Sequence, residues 1–148
     1  MIVKYPKNIE EIKKFAEDNN IDVKYLLGER YEDNLDLGSV KSLPNNIQFN
    51  VGDWLSLSSV ESLPENIVFN VGGWLNLFSV ESLPDNIVFN VGGSLWLYSV
   101  KTLPENIQFN VGGSLDLRSV ESLPSSTIFN VDGELYFPTT HKVKVIWN

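Results

Sequence analysis

The chain has 148 residues, 43% of them hydrophobic and 20% charged, with 11 basic groups against 19 acidic ones, one histidine and no cysteine. That length and balance fit one folded domain and exclude a disordered polymer, while the missing cysteine excludes disulfides, thiolate catalysis and zinc-thiolate sites. The net charge of −8 argues against direct contact with nucleic acid or anionic membrane, whose affinity for proteins comes from Lys and Arg neutralising phosphates.

Residues 1–34 read as an N-terminal cap. The start, MIVKYPKNIEEIKK, lacks the basic-then-apolar layout of a secretory signal, and no apolar run approaches the ~20 residues that span a bilayer, so a cytoplasmic setting is expected. Asn8 followed by Glu11 predicts a capping box opening a helix over about 8–19, with Ile9, Ile12, Phe15 and Ala16 on one face. IDVKYLL reads as strand-like. Helix and strand together are expected to cover the open edge of the repeated region that begins at Leu35.

From Leu35 to Phe137 the sequence repeats every twenty residues with no insertion or deletion. The turns are LDLGSVKSLPNNIQFNVGDW, LSLSSVESLPENIVFNVGGW, LNLFSVESLPDNIVFNVGGS, LWLYSVKTLPENIQFNVGGS and LDLRSVESLPSSTIFNVDGE, and LYF opens a sixth. A fixed period of that length predicts a stacked solenoid. In residues 75–94 the apolar positions are Leu75, Leu77, Val80, Leu83, Ile87, Phe89 and Val91, grouped in two alternating stretches, LNL and IVFNV. Such a turn is too short for a usual helix-bearing rung. The expected fold is therefore mainly β, a parallel β-solenoid (a β-helix or leucine-rich-repeat-like coil) with strands stacked about 4.8 Å apart.

The constant polar positions read as scaffold. Asn50, Asn70, Asn90, Asn110 and Asn130 predict an asparagine ladder at a corner, with Asn46, Asn66, Asn86 and Asn106 as a second one ended by Ser126. The glycine pairs such as Gly72 and Gly73 are expected to supply turn conformations closed to most residues, and Pro44 to Pro124 to fix φ at another corner. The Ser39 and Ser42 columns read as stacked hydroxyls. Residues 138–148 form a third segment, where Pro138 breaks the pattern and KVKVIW reads as a closing strand, with Lys142 and Lys144 suited to an exposed edge.

The string LxLxSVxSLPxNIxFNVGG, covering about 100 residues, resembles the short leucine-rich-repeat-like solenoids of phage and prophage proteins. Its SLPEN corner is similar to the SLPE segments of bacterial effector leucine-rich repeats. The SV step replaces the Asn-containing ascending loop of ordinary leucine-rich repeats. The resemblance implies the architecture, a mobile-element origin and the cytoplasm of a bacterial host, and it carries over no catalytic motif.

Enzymatic chemistry lacks an inventory here. His141, beside Lys142, has no convergent partners for a triad or a zinc site, and the VGG corners are not followed by the helix that a phosphate loop needs. VGGSLDL also lacks the third glycine of a calcium-binding β-roll. The chain is therefore read as non-enzymatic, with no catalytic residue, metal or cofactor. Its variable outer positions form the grid Trp54-Ser56-Ser58, Trp74-Asn76-Phe78, Ser94-Trp96-Tyr98, Ser114-Asp116-Arg118 and Glu134-Tyr136-Pro138. Residues two apart on a strand share a face, so five large aromatics are expected to meet in three neighbouring rungs.

The candidate protein-binding residues are accordingly Trp54, Trp74, Phe78, Trp96, Tyr98, Arg118 and Tyr136. A second candidate surface is acidic: Glu65, Asp85 and Glu105 in one column, and Glu61, Glu81 and Glu121 in another that also contains Lys41 and Lys101. The repeats hold the whole charge deficit, with eleven acids against Lys41, Lys101 and Arg118. The expected function is binding of a protein partner, in the form of an inhibitor of a host defence or nucleic-acid-processing enzyme such as CRISPR or restriction machinery, the stacked carboxylates imitating phosphates. The alternatives are a self-assembling structural solenoid, a homodimer included, and a carbohydrate-binding module using the tryptophans as platforms.

Overall fold

Alternation of Leu, Ile, Phe and Val with polar residues gives each twenty-residue turn one apolar edge, and stacking the turns buries those edges in a single column. The computed structural model describes residues 4–138. Over them the chain is a mainly β solenoid of five turns with one helix at its N-terminal end. Strands β1 (Leu35–Asp36), β3 (Leu55–Ser56), β5 (Leu75–Asn76), β7 (Leu95–Trp96), β9 (Leu115–Asp116) and β11 (Leu135–Tyr136) form one parallel sheet in that order. Strands β2 (Gln48–Val51), β4 (Val68–Val71), β6 (Val88–Val91), β8 (Gln108–Val111) and β10 (Ile128–Val131) form a second. Strand residues pair with their copies twenty positions on, as in Phe49 with Phe69 and Leu55 with Leu75.

A third line of contact runs where only a corner was expected. Ser62, Ser82 and Thr102 form parallel bridges, and Glu81, Lys101 and Glu121 donate their backbone N–H groups to the carbonyls of Glu61, Glu81 and Lys101. Inside, Phe49, Phe69, Phe89, Phe109 and Phe129 stack along the axis with ring centroids 5.6 to 5.8 Å apart. That separation exceeds the strand spacing, so the rings are offset, the arrangement their quadrupoles favour. All five are fully buried, with the leucine and valine columns around them.

Helix α1 (Ile9–Asp18) buries Ile12 and Ala16 against the core as its periodicity predicts, but the capping box does not form. The Asn8 side chain instead donates to the Asn45 carbonyl at 2.8 Å and accepts from the Asn46 amide at 2.9 Å. Asn66 in turn donates to Asn46 at 2.9 Å, so Asn8 is the first member of the second asparagine ladder. The strand-like IDVKYLL is likewise corrected: Val23–Leu26 is a 3-10 turn whose N-terminal Asp22 accepts from the Lys24 N–H. Of that stretch only its last residue pairs like a strand, Leu27 bridging Gln48 in parallel, and Tyr31 adds a second bridge to Val51, donating to Asn50 at 2.8 Å and accepting from Gly52 at 2.7 Å.

Two further expectations give way. Asn46, Asn66, Asn86 and Asn106 hold the left-handed conformation, with φ of 68°, 60°, 62° and 62°, whereas the repeat glycines do not. Gly72 is required for a different reason: a Cβ there would lie 2.3 Å from the carbonyl oxygen of Gly52 in the preceding rung. The Asn50 column sits within the long strands, on their outer face, and not at a corner. Its amides join Asn130 to Asn110 and Asn110 to Asn90, while Asn50 ends the column on the Gly28 carbonyl. The closing strand read in KVKVIW, with His141, Lys142 and Lys144, lies outside the described residues.

Candidate functional site

The outer positions of the short-strand sheet carry the variable residues, because their inner neighbours Leu55, Leu57 and their copies are fixed by the core. In-register stacking then brings each outer side chain within one strand spacing of the next. Trp54 and Trp74 lie parallel with centroids 4.7 Å apart. Trp74 meets Trp96 at 5.0 Å, Trp96 meets Phe78 at 5.7 Å, and Phe78 stacks on Tyr98 at 4.3 Å with 14° between the planes. All five rings are half-buried, and their aromatic neighbours are one another.

The stack ends on a cation. Arg118 places its guanidinium 4.3 Å from the Tyr98 ring centroid and holds both carboxylate oxygens of Asp116 through Nε at 3.0 Å. Asp116 is buried and Arg118 largely exposed. The hydrogen bond to Asp116, and then its charge, raise the Arg118 pKa above its ordinary value. Tyr136 stands apart: it is 46% exposed, makes no ring contact with the stack, and donates its hydroxyl to Glu134, which raises its pKa.

The grid is therefore not uniformly solvent-facing. Ser56 and Asp116, read as outward, are 8% and 3% exposed. Both sit in the middle column of the grid, and Asp116 is covered there by Arg118. Asp116 is not among the residues that the sequence marks for binding, yet its pairing with Arg118 fixes where the cation sits. The signal for it is the LDLR string, in which an acid and a base two apart share a strand face.

The acidic candidates Glu61, Glu65, Glu81, Asp85, Glu105 and Glu121 are all exposed, on the turns around the Ser62 to Thr102 line and not on the aromatic sheet. Glu105 accepts a hydrogen bond from Ser126 at 2.8 Å. A shallow polar groove of about 480 Å³ follows the Asn50 to Asn130 column, with Arg30 and Asp132 also in its lining. Helix α1 rests on the 3-10 turn, which rests on β2 of the long-strand sheet. No family model matches the chain, and no curated protein or solved structure matches it.

Proposed function

We propose that the protein is a non-enzymatic binding solenoid that recognises a protein partner through Trp54, Trp74, Phe78, Trp96, Tyr98 and Arg118. The observation that carries this reading is the continuous contact of five aromatic rings and a guanidinium over neighbouring rungs of one sheet face. Aromatic residues and arginine dominate the energy of protein interfaces, and contiguous exposed apolar surface on a soluble domain marks contact sites. Stacking also speaks against the carbohydrate alternative. A sugar packs on a free ring face, whereas one face of Trp74 is stacked on Trp54 and one face of Phe78 on Tyr98.

Within this reading the narrower proposal is an inhibitor of a basic, nucleic-acid-processing enzyme of a bacterial host. The exposed acidic columns beside the sheet would add long-range attraction, and the resemblance to phage solenoids supplies the host. The test is affinity capture from bacterial lysate with the intact chain and with a Trp74→Ser/Trp96→Ser variant. The variant is expected to keep its β spectrum and to lose the captured protein. Full retention of binding by a folded variant would sink the aromatic-face reading. Capture that is unchanged between low and moderate salt would remove the acidic contribution, because exposed charges are screened over about 10 Å at 0.1 M salt.

A further inference from the structure

The outer grid has a pattern that stacking alone does not require. From rung one to rung five its rows read Asn34-Asp36-Gly38, Trp54-Ser56-Ser58, Trp74-Asn76-Phe78, Ser94-Trp96-Tyr98 and Ser114-Asp116-Arg118. Rungs two and four are inverse in size, large-small-small against small-large-large. Rungs one and five continue this in the last column, with Gly38 against Arg118, and both carry aspartate in the middle. Rung three lies between the two pairs. The N-terminal cap packs toward β2 of the other sheet, which leaves this face to a partner.

Two copies of such a sheet can meet face to face about a two-fold axis that runs along the strands. That axis keeps every column opposite its own copy and reverses the order of the rungs, so an axis crossing rung three sets rung two opposite rung four and rung one opposite rung five. Trp54 then faces Ser94 of the second copy, Trp96 faces Ser56, Tyr98 faces Ser58 and Arg118 faces Gly38. Only on the axis do Trp74, Asn76 and Phe78 meet themselves, which gathers apolar groups at the centre and polar ones at the rim, as in specific interfaces. A two-fold axis along the solenoid would instead set Trp74 against Phe78, Trp96 against Trp96 and Asp36 against Asp36. Crowding and like charge count against it.

Charge agrees with the antiparallel register. Asp36 is exposed, accepts from the Gly38 N–H at 2.9 Å and pairs with no cation among the described residues. Opposite it stands Asp116 of the second copy, covered by an Arg118 whose Nε and Nη2 hold that carboxylate while its Nη1 bonds nothing among the described residues. We propose that the partner of the aromatic face is a second copy of this chain, docked antiparallel about rung three, with each Arg118 shared between its own Asp116 and the other copy's Asp36. A guanidinium has donors enough for both carboxylates. The patch is small, roughly 19 Å by 13 Å between backbone positions, so the dimer is a reversible one of micromolar affinity. The acidic columns, on the turns, stay outside it. This assignment names the partner within the reading that the aromatic face binds a protein, and rests on that reading.

The test is analytical ultracentrifugation of the purified full chain from low micromolar to near millimolar concentration, on variants whose β spectrum is unchanged. A concentration-dependent equilibrium between monomer and dimer is expected. Asn76→Asp can keep the bond from the Phe78 N–H, as Asp36 and Asp116 keep theirs on their own rungs, but it places two carboxylates across the axis. It should weaken the dimer about tenfold at low salt and less at high salt. Ser58→Tyr sets a ring against Tyr98 of the second copy and should break the dimer, whereas the exchange Ser58→Tyr/Tyr98→Ser again sets large against small and should restore it. A chain that stays monomeric throughout overturns the proposal, as does a dimer that Asn76→Asp leaves unchanged or a folded exchange variant that stays monomeric. Lysate capture judges the underlying reading separately: if the chain is monomeric and Trp74→Ser/Trp96→Ser still loses a captured protein, the dimer fails and the aromatic face stands.

Discussion

At the scale of single residues, repetition identifies a column long before it explains one. Asparagine at 46, 66, 86 and 106 and glycine at 72, 92 and 112 are equally constant. Both read naturally as turn chemistry, but only the asparagines hold positive φ, while the glycines are fixed by carbonyls of the rung below. The two causes predict different mutational outcomes. Asn86→Gly should be nearly neutral in urea denaturation, whereas Asn86→Val should cost about 1–2 kcal/mol, the penalty of a left-handed β-branched residue. Gly72→Ala, at an ordinary φ, should nonetheless cost more than about 2 kcal/mol, because its methyl meets backbone that cannot move alone. If Gly72→Ala proves neutral, close packing of rungs is not what the glycine serves.

At the scale of elements, the strands follow directly from alternation, since burying Leu55 and Leu57 or Phe49 and Val51 commits their neighbours to the other face. The N-terminal cap obeys a less local rule. Asn8 and Glu11 have the spacing of a capping box, and helix α1 is present, yet the Asn8 side chain bridges the cap to the ladder at Asn45 and Asn46. A local motif lost to a tertiary hydrogen bond that sequence spacing cannot display. Asn8→Asp separates the roles. Aspartate caps helices as well as asparagine does, so a capping role predicts unchanged stability. The ladder role predicts a loss of about 1 kcal/mol, because a carboxylate cannot donate to the Asn45 carbonyl. Thermal or urea unfolding of the single variant decides between them.

For the whole molecule, the repeated register makes each rung a structural unit that contacts only its neighbours, so stability should change stepwise with rung number. Deleting residues 75–94 joins Trp74 to Leu95 in phase and removes one complete rung. The shortened chain is expected to keep its β spectrum and to unfold with a smaller denaturant slope, in proportion to the surface no longer buried. Collapse of that variant to an unfolded chain would show that the solenoid is held by a unique long-range contact.

The sequence by itself determined the solenoid, its period and its core, because an unbroken twenty-residue repeat of apolar positions has one economical way to bury them. It also singled out the outer grid, whose residues vary while the leucines beneath them do not. The tertiary structure alone decided which grid members touch. Trp54, Trp74, Trp96, Phe78 and Tyr98 join across columns, Arg118 closes one end over a buried Asp116, and Tyr136 is left outside. The reason is geometric. Sequence period fixes the rung and the face of each side chain, but diagonal reach between neighbouring columns depends on side-chain length and rotamer, and these take definite values only once the rungs are stacked.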